Sequence, residues 1–256
     1  MLPQTNRRGD VEGMGTLKFT IWVGYDARET AAFAVTRHSV KRRMSFPAPI
    51  YGLYPTVLRE KGIYTRPVDV LGGIRWDRIS GAPMSTDHAN ARFLMPALAK
   101  EGWALFMDGD MLALGNITRL TDILDPRKAL YCVHHRHEPV SEIKMDGQIQ
   151  MPYARKNWSS FMVLNCDHPA NKALTPELAN TLPGRDLHRF CWLEDKDIGE
   201  LGPEWNFLIG INDPAAIDPM VVHFTEGTPD MSGYEDQMFA DLWRAELADW
   251  VANGIR

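Results

Sequence analysis

The chain has 256 residues, with 28 Lys and Arg against 33 Asp and Glu, a net charge of -5 and 45% hydrophobic residues. That length suits one compact domain with a full core, and that charge argues against a chain built chiefly to hold nucleic acid. No apolar run approaches the ~20 residues that cross a bilayer, and residues 1–16 lack the apolar centre of a signal peptide, so a cytoplasmic location is expected.

Residues 1–16, rich in Gly, Arg and acidic groups, read as a flexible leader. Residues 17–23 form a first predicted strand ending in Gly24-Tyr25-Asp26. A helix over 29–43 follows, with Ala32, Val35, Thr36, Ser39 and Val40 on one face. A short strand at 50–54 leads into a turn-rich, irregular stretch over 55–84. Ser85 or Thr86 then caps a helix running to about Lys100, kinked or shortened by Pro96, with Phe93, Leu94, Ala97 and Leu98 toward the core. Further strands are expected at 103–107, 129–133, 160–165 and 220–224, and a helix at 176–181. A last helix over 234–253 places Met238, Leu242, Ala245 and Trp250 along one stripe and is capped by Gly254. Alternating strands and helices specify an α/β sheet with helices on both faces. Cys132, Cys166 and Cys191 are an odd number without Cys-x-x-Cys spacing, which leaves them as small apolar residues at strand ends.

The run Trp103-Ala104-Leu105-Phe106-Met107 stops abruptly at Asp108-Gly109-Asp110 before hydrophobicity resumes at Met111-Leu112. In extended backbone, residues i and i+2 project to one side, so a buried strand delivers both carboxylates to one ligand while Gly109 leaves the other side clear. Close carboxylates repel unless a proton or cation compensates them, and a divalent ion holding a phosphate-bearing substrate is a common solution. The plainer alternative is a solvated surface turn. His223, at the end of an apolar strand, is a second candidate ligand; beside two carboxylates an imidazole suits Mn²⁺ better than Ca²⁺, whereas alone it reads as a hydrogen-bonded core residue. His134-His135-Arg136-His137 lacks a carboxylate at ligand spacing and reads as a polar strand end near the site. Trp158 and Trp205 are candidates for stacking on a sugar or base, while Trp103, Trp192 and Trp243 read as core. The basic residues between 37 and 43 form a solvated helix face or a contact with anionic lipid.

Together, Gly24-Tyr25-Asp26, Arg92 before Phe106-Met107-Asp108-Gly109-Asp110, Asn157-Trp158-Ser159-Ser160 leading into Phe161-Met162-Val163-Leu164-Asn165, and His223-Phe224-Thr225-Glu226-Gly227 form an ordered set. In order and spacing it resembles the family 8 retaining glycosyltransferases of the GT-A fold, the group that includes glycogenin and bacterial lipooligosaccharide galactosyltransferases. Lys144-Met145, Gln148 and Tyr153-Ala154-Arg155-Lys156-Asn157-Trp158 look more like a separate bacterial branch. The resemblance covers residues 17–229. It implies a single GT-A domain over 17–256, a Rossmann-like open mixed sheet flanked by helices with the Asp-x-Asp pair at the end of a central strand.

The same resemblance assigns Asp108, Asp110 and His223 to Mn²⁺ or Mg²⁺, with Gly109 between them and the donor diphosphate alongside. Gly24, Tyr25 and Asp26 are expected to hold the uracil and ribose of a UDP-sugar, and Arg92 to reach toward the donor. Asn157, Ser159 and Ser160 are expected to line the sugar pocket, with Gly227 close by. Among Glu194, Asp195 and Asp197, which fall where the family places an acidic contact to the donor sugar, Asp195 is the one assigned. One departure matters: a family lysine that grips the diphosphate is replaced by the run Gly227-Thr228-Pro229-Asp230, which leaves Lys144, Arg155 or Lys156 to supply that charge. The expected partners are a nucleotide-sugar donor and a saccharide, lipid-linked or protein acceptor, with peripheral contact on the inner face of a membrane and no nucleic acid. Two rivals stand beside this reading. A haloacid-dehalogenase-like phosphatase also uses an Asp-x-Asp pattern after an apolar strand, but that motif normally opens its domain. A nucleotide-sugar-binding pseudoenzyme is suggested by the missing lysine.

Overall fold

A computed structural model describes residues 17–135 and 158–253. The first half of the chain gives β1 (Phe19–Gly24), α1 (Thr30–Arg42), β2 (Ile50–Leu53), α2 (Pro55–Glu60), β3 (Val68–Leu71), β4 (Ile74–Asp77), β5 (Ala82–Met84), α3 (Met95–Ala99), β6 (Trp103–Met107) and β7 (Met111–Ala113). The second half gives β8 (Leu130–Val133), β9 (Phe161–Asn165), α4 (Pro176–Thr181), α5 (Gly184–His188), β10 (Ile198–Leu201), β11 (Phe207–Leu208), β12 (Val221–His223) and α6 (Ala240–Asn253).

The main sheet has the order β10-β8-β9-β6-β1-β2, and among the described strands only β9 runs against its neighbours. Near-continuous apolar runs form its centre because both faces are covered. Along β6 the side chains alternate between two cores: Ala104 and Phe106 pack with Phe93, Met162 and Leu164, while Trp103, Leu105 and Met107 pack with Ile21, Val23, Phe161 and Val163. A three-stranded sheet, β11-β12-β7, adjoins the end of β6. The Asp108-Gly109-Asp110 turn is therefore the crossing from one sheet to the other. Thr36 on α1 fixes it, with Oγ1 2.7 Å from Gly109 O and 2.6 Å from Met111 O.

Three segments differ from expectation. Residues 55–84 are ordered: α2 precedes an antiparallel sheet, β3-β4-β5, whose first turn is Gly72-Gly73 with φ of 57° and 85°. Asp77 anchors it through the buried Arg66, which donates from Nε at 3.1 Å and from Nη2 at 2.5 Å and also reaches Ala179 O and Leu182 O. The expected helix over 85–100 is a 3₁₀ turn, Ala91–Leu94, followed by the short α3, because Pro96 occupies the first turn of α3, where its missing N–H costs nothing.

The last helix begins at Ala240 and buries Ala240, Trp243 and Glu246, leaving Met238 and Leu242 41% and 51% exposed. Ion pairs with α1 set that face. Arg43 Nη1 lies 2.8 Å from Glu246 Oε2, and His38 Nε2 and Arg42 Nη1 lie 2.7 and 2.8 Å from Asp249 Oδ2. Part of the basic face of α1 is thus paired with α6, while Lys41 and Arg42 remain exposed. The expected cap Gly254 and the leader 1–16 lie outside the described residues. Cys132 and Cys166 are buried as expected, whereas Cys191 follows α5 in a turn and is exposed. Among the described residues no helix is long and apolar enough to cross a membrane.

Candidate active site

The carboxyl ends of β1 and β6, the end of β12 and the β3–β4 hairpin surround a cavity of about 400 Å³. Asp108, Asp110 and His223 line it, and one ligand atom from each lies within 4.8 Å of the other two. The small sheet makes this possible. His223 pairs in register with Met111, and Phe224 N donates to Asp110 O at 3.0 Å, so β12 is locked beside the residue following β6's turn. Asp108 is held from the main sheet, its N donating to Ser160 O at 2.9 Å.

The electrostatics differ between the two carboxylates. Arg92 Nη2 lies 2.8 Å and His88 Nε2 3.0 Å from Asp108 Oδ1. Burial pushes the Asp108 carboxyl upward, but the Arg92 charge and the His88 bond outweigh it and hold it well below the usual carboxylate range. Asp110 Oδ1 is buried and makes no hydrogen bond, lying 3.3 Å from His223 Nε2. Burial disfavours a charged His223, yet Asp110 prevails and raises the imidazole above its ordinary value. Nδ1 of His223 sits 3.0 Å from Asn206 Oδ1, which fixes that nitrogen as the donor and leaves Nε2 facing the carboxylates. An orphaned buried oxygen, a second carboxylate and an imidazole oriented by a neighbouring amide fit a divalent cation of the Mn²⁺ or Mg²⁺ kind.

The glycines act through packing. A Cβ on Gly109 would stand 2.4 Å from Gly24 O, and one on Gly24 2.4 Å from the His88 ring. Hydrogen at Gly109 lets the end of β1 approach the turn this closely, and hydrogen at Gly24 leaves room for the His88 ring. Asp26 follows β1 in the loop leading to α1. It is 1% exposed and does not line the cavity. Its carboxylate accepts from Arg28 Nε at 3.0 Å, Arg28 Nη2 at 2.7 Å and Asp87 N at 2.9 Å, which outweigh its burial and depress its pKa. Arg28 and Glu29 are the groups of this loop that reach the cavity, and burial, followed by the Asp110 charge, pushes Glu29 up to about 7. Tyr25 packs instead on Phe33 and Tyr54, with ring centroids 5.0 and 4.9 Å away.

Ser159, Ser160, Gly227 and Arg92 line the cavity. Ser159 Oγ lies 2.6 Å from His188 Nδ1, and burial pushes that histidine down to about 3, so it is neutral. Ser160 Oγ accepts from Asn206 Nδ2 at 2.9 Å. Asp195 does not join them. It is exposed in the turn just before β10, and Asp197 O accepts from Ala129 N just before β8, so this turn lies at the amino ends of strands whose carboxyl ends face the site. Arg155, Lys156, Asn157 and Lys144 lie outside the described residues, as do Arg136 and His137. The rest of the histidine cluster is a polar strand end: His134 stacks on Trp158 at 3.9 Å, and His135 Nε2 lies 2.9 Å from Asn206 Nδ2, with burial lowering its pKa to about 4. Trp205 is buried against Phe161 rather than open to a ligand.

His88, His188, Asn206, Arg28, Glu29 and Arg75 border or brace the site without having been singled out from sequence. His88 and Arg92, four residues apart before the Asp108 strand, were the one readable signal among them.

No family model matches the chain. Among solved structures, the bifunctional glycosyltransferase WbbM superposes over 94% of this chain with a TM-score of 0.61 at 13% identity, and the chain spans only 51% of WbbM. The glycosyltransferase GlyE of Streptococcus pneumoniae matches 94% of this chain and 64% of its own length, with a TM-score of 0.54 at 13% identity. Galactosyltransferase LgtC, solved with donor and acceptor sugar analogues, matches 91% of this chain and 99% of its own, with a TM-score of 0.56 at 13% identity. These likenesses establish the GT-A fold. In sequence the chain is 44% identical over 238 residues to Protein CDI of Arabidopsis thaliana, covering 91% of this chain and 87% of that protein. This relative is a plant protein, and the chain belongs to the same family as Protein CDI.

Proposed function

We propose that this chain is a metal-dependent glycosyltransferase that moves a hexose from a UDP-sugar to a saccharide, lipid-linked or protein acceptor with retention of configuration. The observation that carries the reading is the convergence of Asp108, Asp110 and His223 at the junction of two sheets in a GT-A fold. In this reading those three residues hold Mn²⁺ or Mg²⁺. The ion, when bound, neutralises the negative charge that builds on the diphosphate as the glycosidic bond breaks. Arg92 and His88 hold Asp108 ionised for that purpose, and Asn206 orients His223. Ser159, Ser160 and the neutral His188 form a hydrogen-bonding wall for the sugar. The loop after β1, from Gly24 to Glu29, borders the nucleoside, with Asp26 acting through Arg28. By the resemblance alone, Asn157 is assigned to the donor sugar and Arg155 or Lys156 to the charge of the diphosphate. Retention and the uridine nucleotide rest on the resemblance to family 8 enzymes, as does a cytoplasmic, membrane-peripheral location.

The test is turnover. A panel of UDP-sugars with the full-length chain and Mn²⁺ should give UDP release for at least one sugar, abolished by EDTA. Release of inorganic phosphate from simple phosphomonoesters without preference for uridine would instead support the phosphatase reading, and metal-dependent UDP binding without turnover of any donor or acceptor would support a binding protein.

A further inference from the structure

A divalent ion on Asp108 and Asp110 is balanced by those two carboxylates, so a diphosphate brought to it keeps its own charge and requires further cationic donors. Arg92 is already committed. Its Nε donates to Ala89 O at 2.9 Å, its Nη1 to Ser159 O at 2.9 Å, and its Nη2 lies 2.8 Å from Asp108. Two other arginines line the same cavity, Arg28 and Arg75. Each turns Nε and Nη2 to one carboxylate, Arg28 to Asp26 and Arg75 to Asp87. The pairs are themselves linked, because Asp87 N donates to Asp26 Oδ2 at 2.9 Å, and Arg28 Nη2 also donates to Ser85 O at 2.6 Å. Among the described residues Nη1 of neither arginine has a hydrogen-bond partner. Arg75 reaches this position because it lies two residues after the Gly72-Gly73 turn that starts β4. Two planar groups fixed along one edge and open on the other lose little freedom when an anion arrives.

We infer that Arg28 and Arg75 form a clamp that binds the diphosphate of the nucleotide donor through their open Nη1 edges; this rests on the reading of the cavity as a nucleotide-sugar site. It gives the buried Asp26 and the half-buried Asp87 the part of positioning residues.

The experiment is calorimetric titration of UDP, UMP and uridine into the full chain with Mn²⁺, in wild type, Arg28→Gln, Arg75→Gln and the double variant, each checked by thermal melting. Each single substitution should weaken UDP roughly tenfold while uridine changes little, and the double should lose most of the preference for UDP over uridine. If Arg28→Gln fails to fold because Asp26 is left without its cation, Arg28→Lys, which keeps the charge and loses the fork, and Arg75→Gln carry the test. An unchanged UDP preference in the variants overturns the clamp, as does loss of that preference in Arg155→Ala or Lys156→Ala alone. A clamp that reads a carboxylate on the donor sugar would weaken UDP-glucuronate but not UDP, which also overturns the assignment. Failure of the wild type to bind UDP at all overturns the nucleotide-sugar reading itself, a result distinct from these.

Discussion

His223 faces Asp110 with one ring nitrogen, Nε2 to Oδ1 at 3.3 Å, and is tied to Asn206 by the other, Nδ1 to Oδ1 at 3.0 Å. The amide sets the tautomer, so it acts on the site at one remove. Replacing Asn206 by Ala should lower the apparent affinity for Mn²⁺, measured as the metal concentration that half-saturates UDP binding, by roughly 10–100-fold, the usual cost of losing a partner that orients a metal-binding histidine. His223→Ala should lower it further with the fold intact by circular dichroism. If His223 is only a core residue, both variants will melt early and keep normal metal-dependent binding.

Gly109 separates the two aspartates and has no room for a side chain, since an added Cβ would lie 2.4 Å from the backbone oxygen of Gly24. Backbone cannot rotate away as a flexible side chain can. Gly109→Ala should therefore cost about 1–3 kcal/mol in urea unfolding and separate the end of β1 from the turn, weakening Mn²⁺-dependent UDP binding as well. Stability and binding both at wild-type level would show that the close approach is not required.

Glu29 gives a pH signature. Burial, followed by repulsion from Asp110, raises its folded pKa from 4.5 to about 7, so the folded chain keeps a proton that the unfolded chain releases at lower pH. The stability associated with the protonated carboxyl is full below about pH 4.5, where both states bind the proton, and declines as pH rises toward 7. Glu29→Gln, which cannot ionise, should raise Tm relative to wild type at pH 8 and leave it nearly unchanged at pH 5, in metal-free buffer. Parallel wild-type and variant Tm curves across that range would show that the carboxyl titrates normally.

The Asp108-Gly109-Asp110 motif was legible because its signal is local: an apolar strand, an abrupt stop and a two-residue period that survives folding. His223 was legible only alongside it, as the end of another apolar strand. Asn206, His188 and Arg28 carry no comparable local mark, since their places depend on how β11, β12, α5 and the loop after β1 are assembled. The β3–β4 hairpin carried a readable signal, Val68-Asp69-Val70 and Ile74-Arg75-Trp76-Asp77 alternating apolar and polar around Gly72-Gly73, but its two strands are only four residues each and the turn-rich sequence around them hides so short a period. At the other end of the chain, the apolar stripe through Leu242 looked like the buried face of α6. Pairing of Glu246 and Asp249 with α1 favours the face carrying Trp243, an effect of tertiary charge that periodicity does not contain.

Equilibrium binding of UDP to the wild type and to Asp110→Asn, each with Mn²⁺ and with EDTA, tests the central claim most directly. Asp110 presents the buried oxygen that makes no hydrogen bond and faces the His223 imidazole, so the substitution removes ligand charge with little other change to the fold. The account expects UDP to bind the wild type tightly only with Mn²⁺, and expects EDTA and the substitution each to abolish most of that affinity. Equal UDP affinity with and without metal, or an Asp110→Asn variant that retains full Mn²⁺-dependent binding, would contradict it.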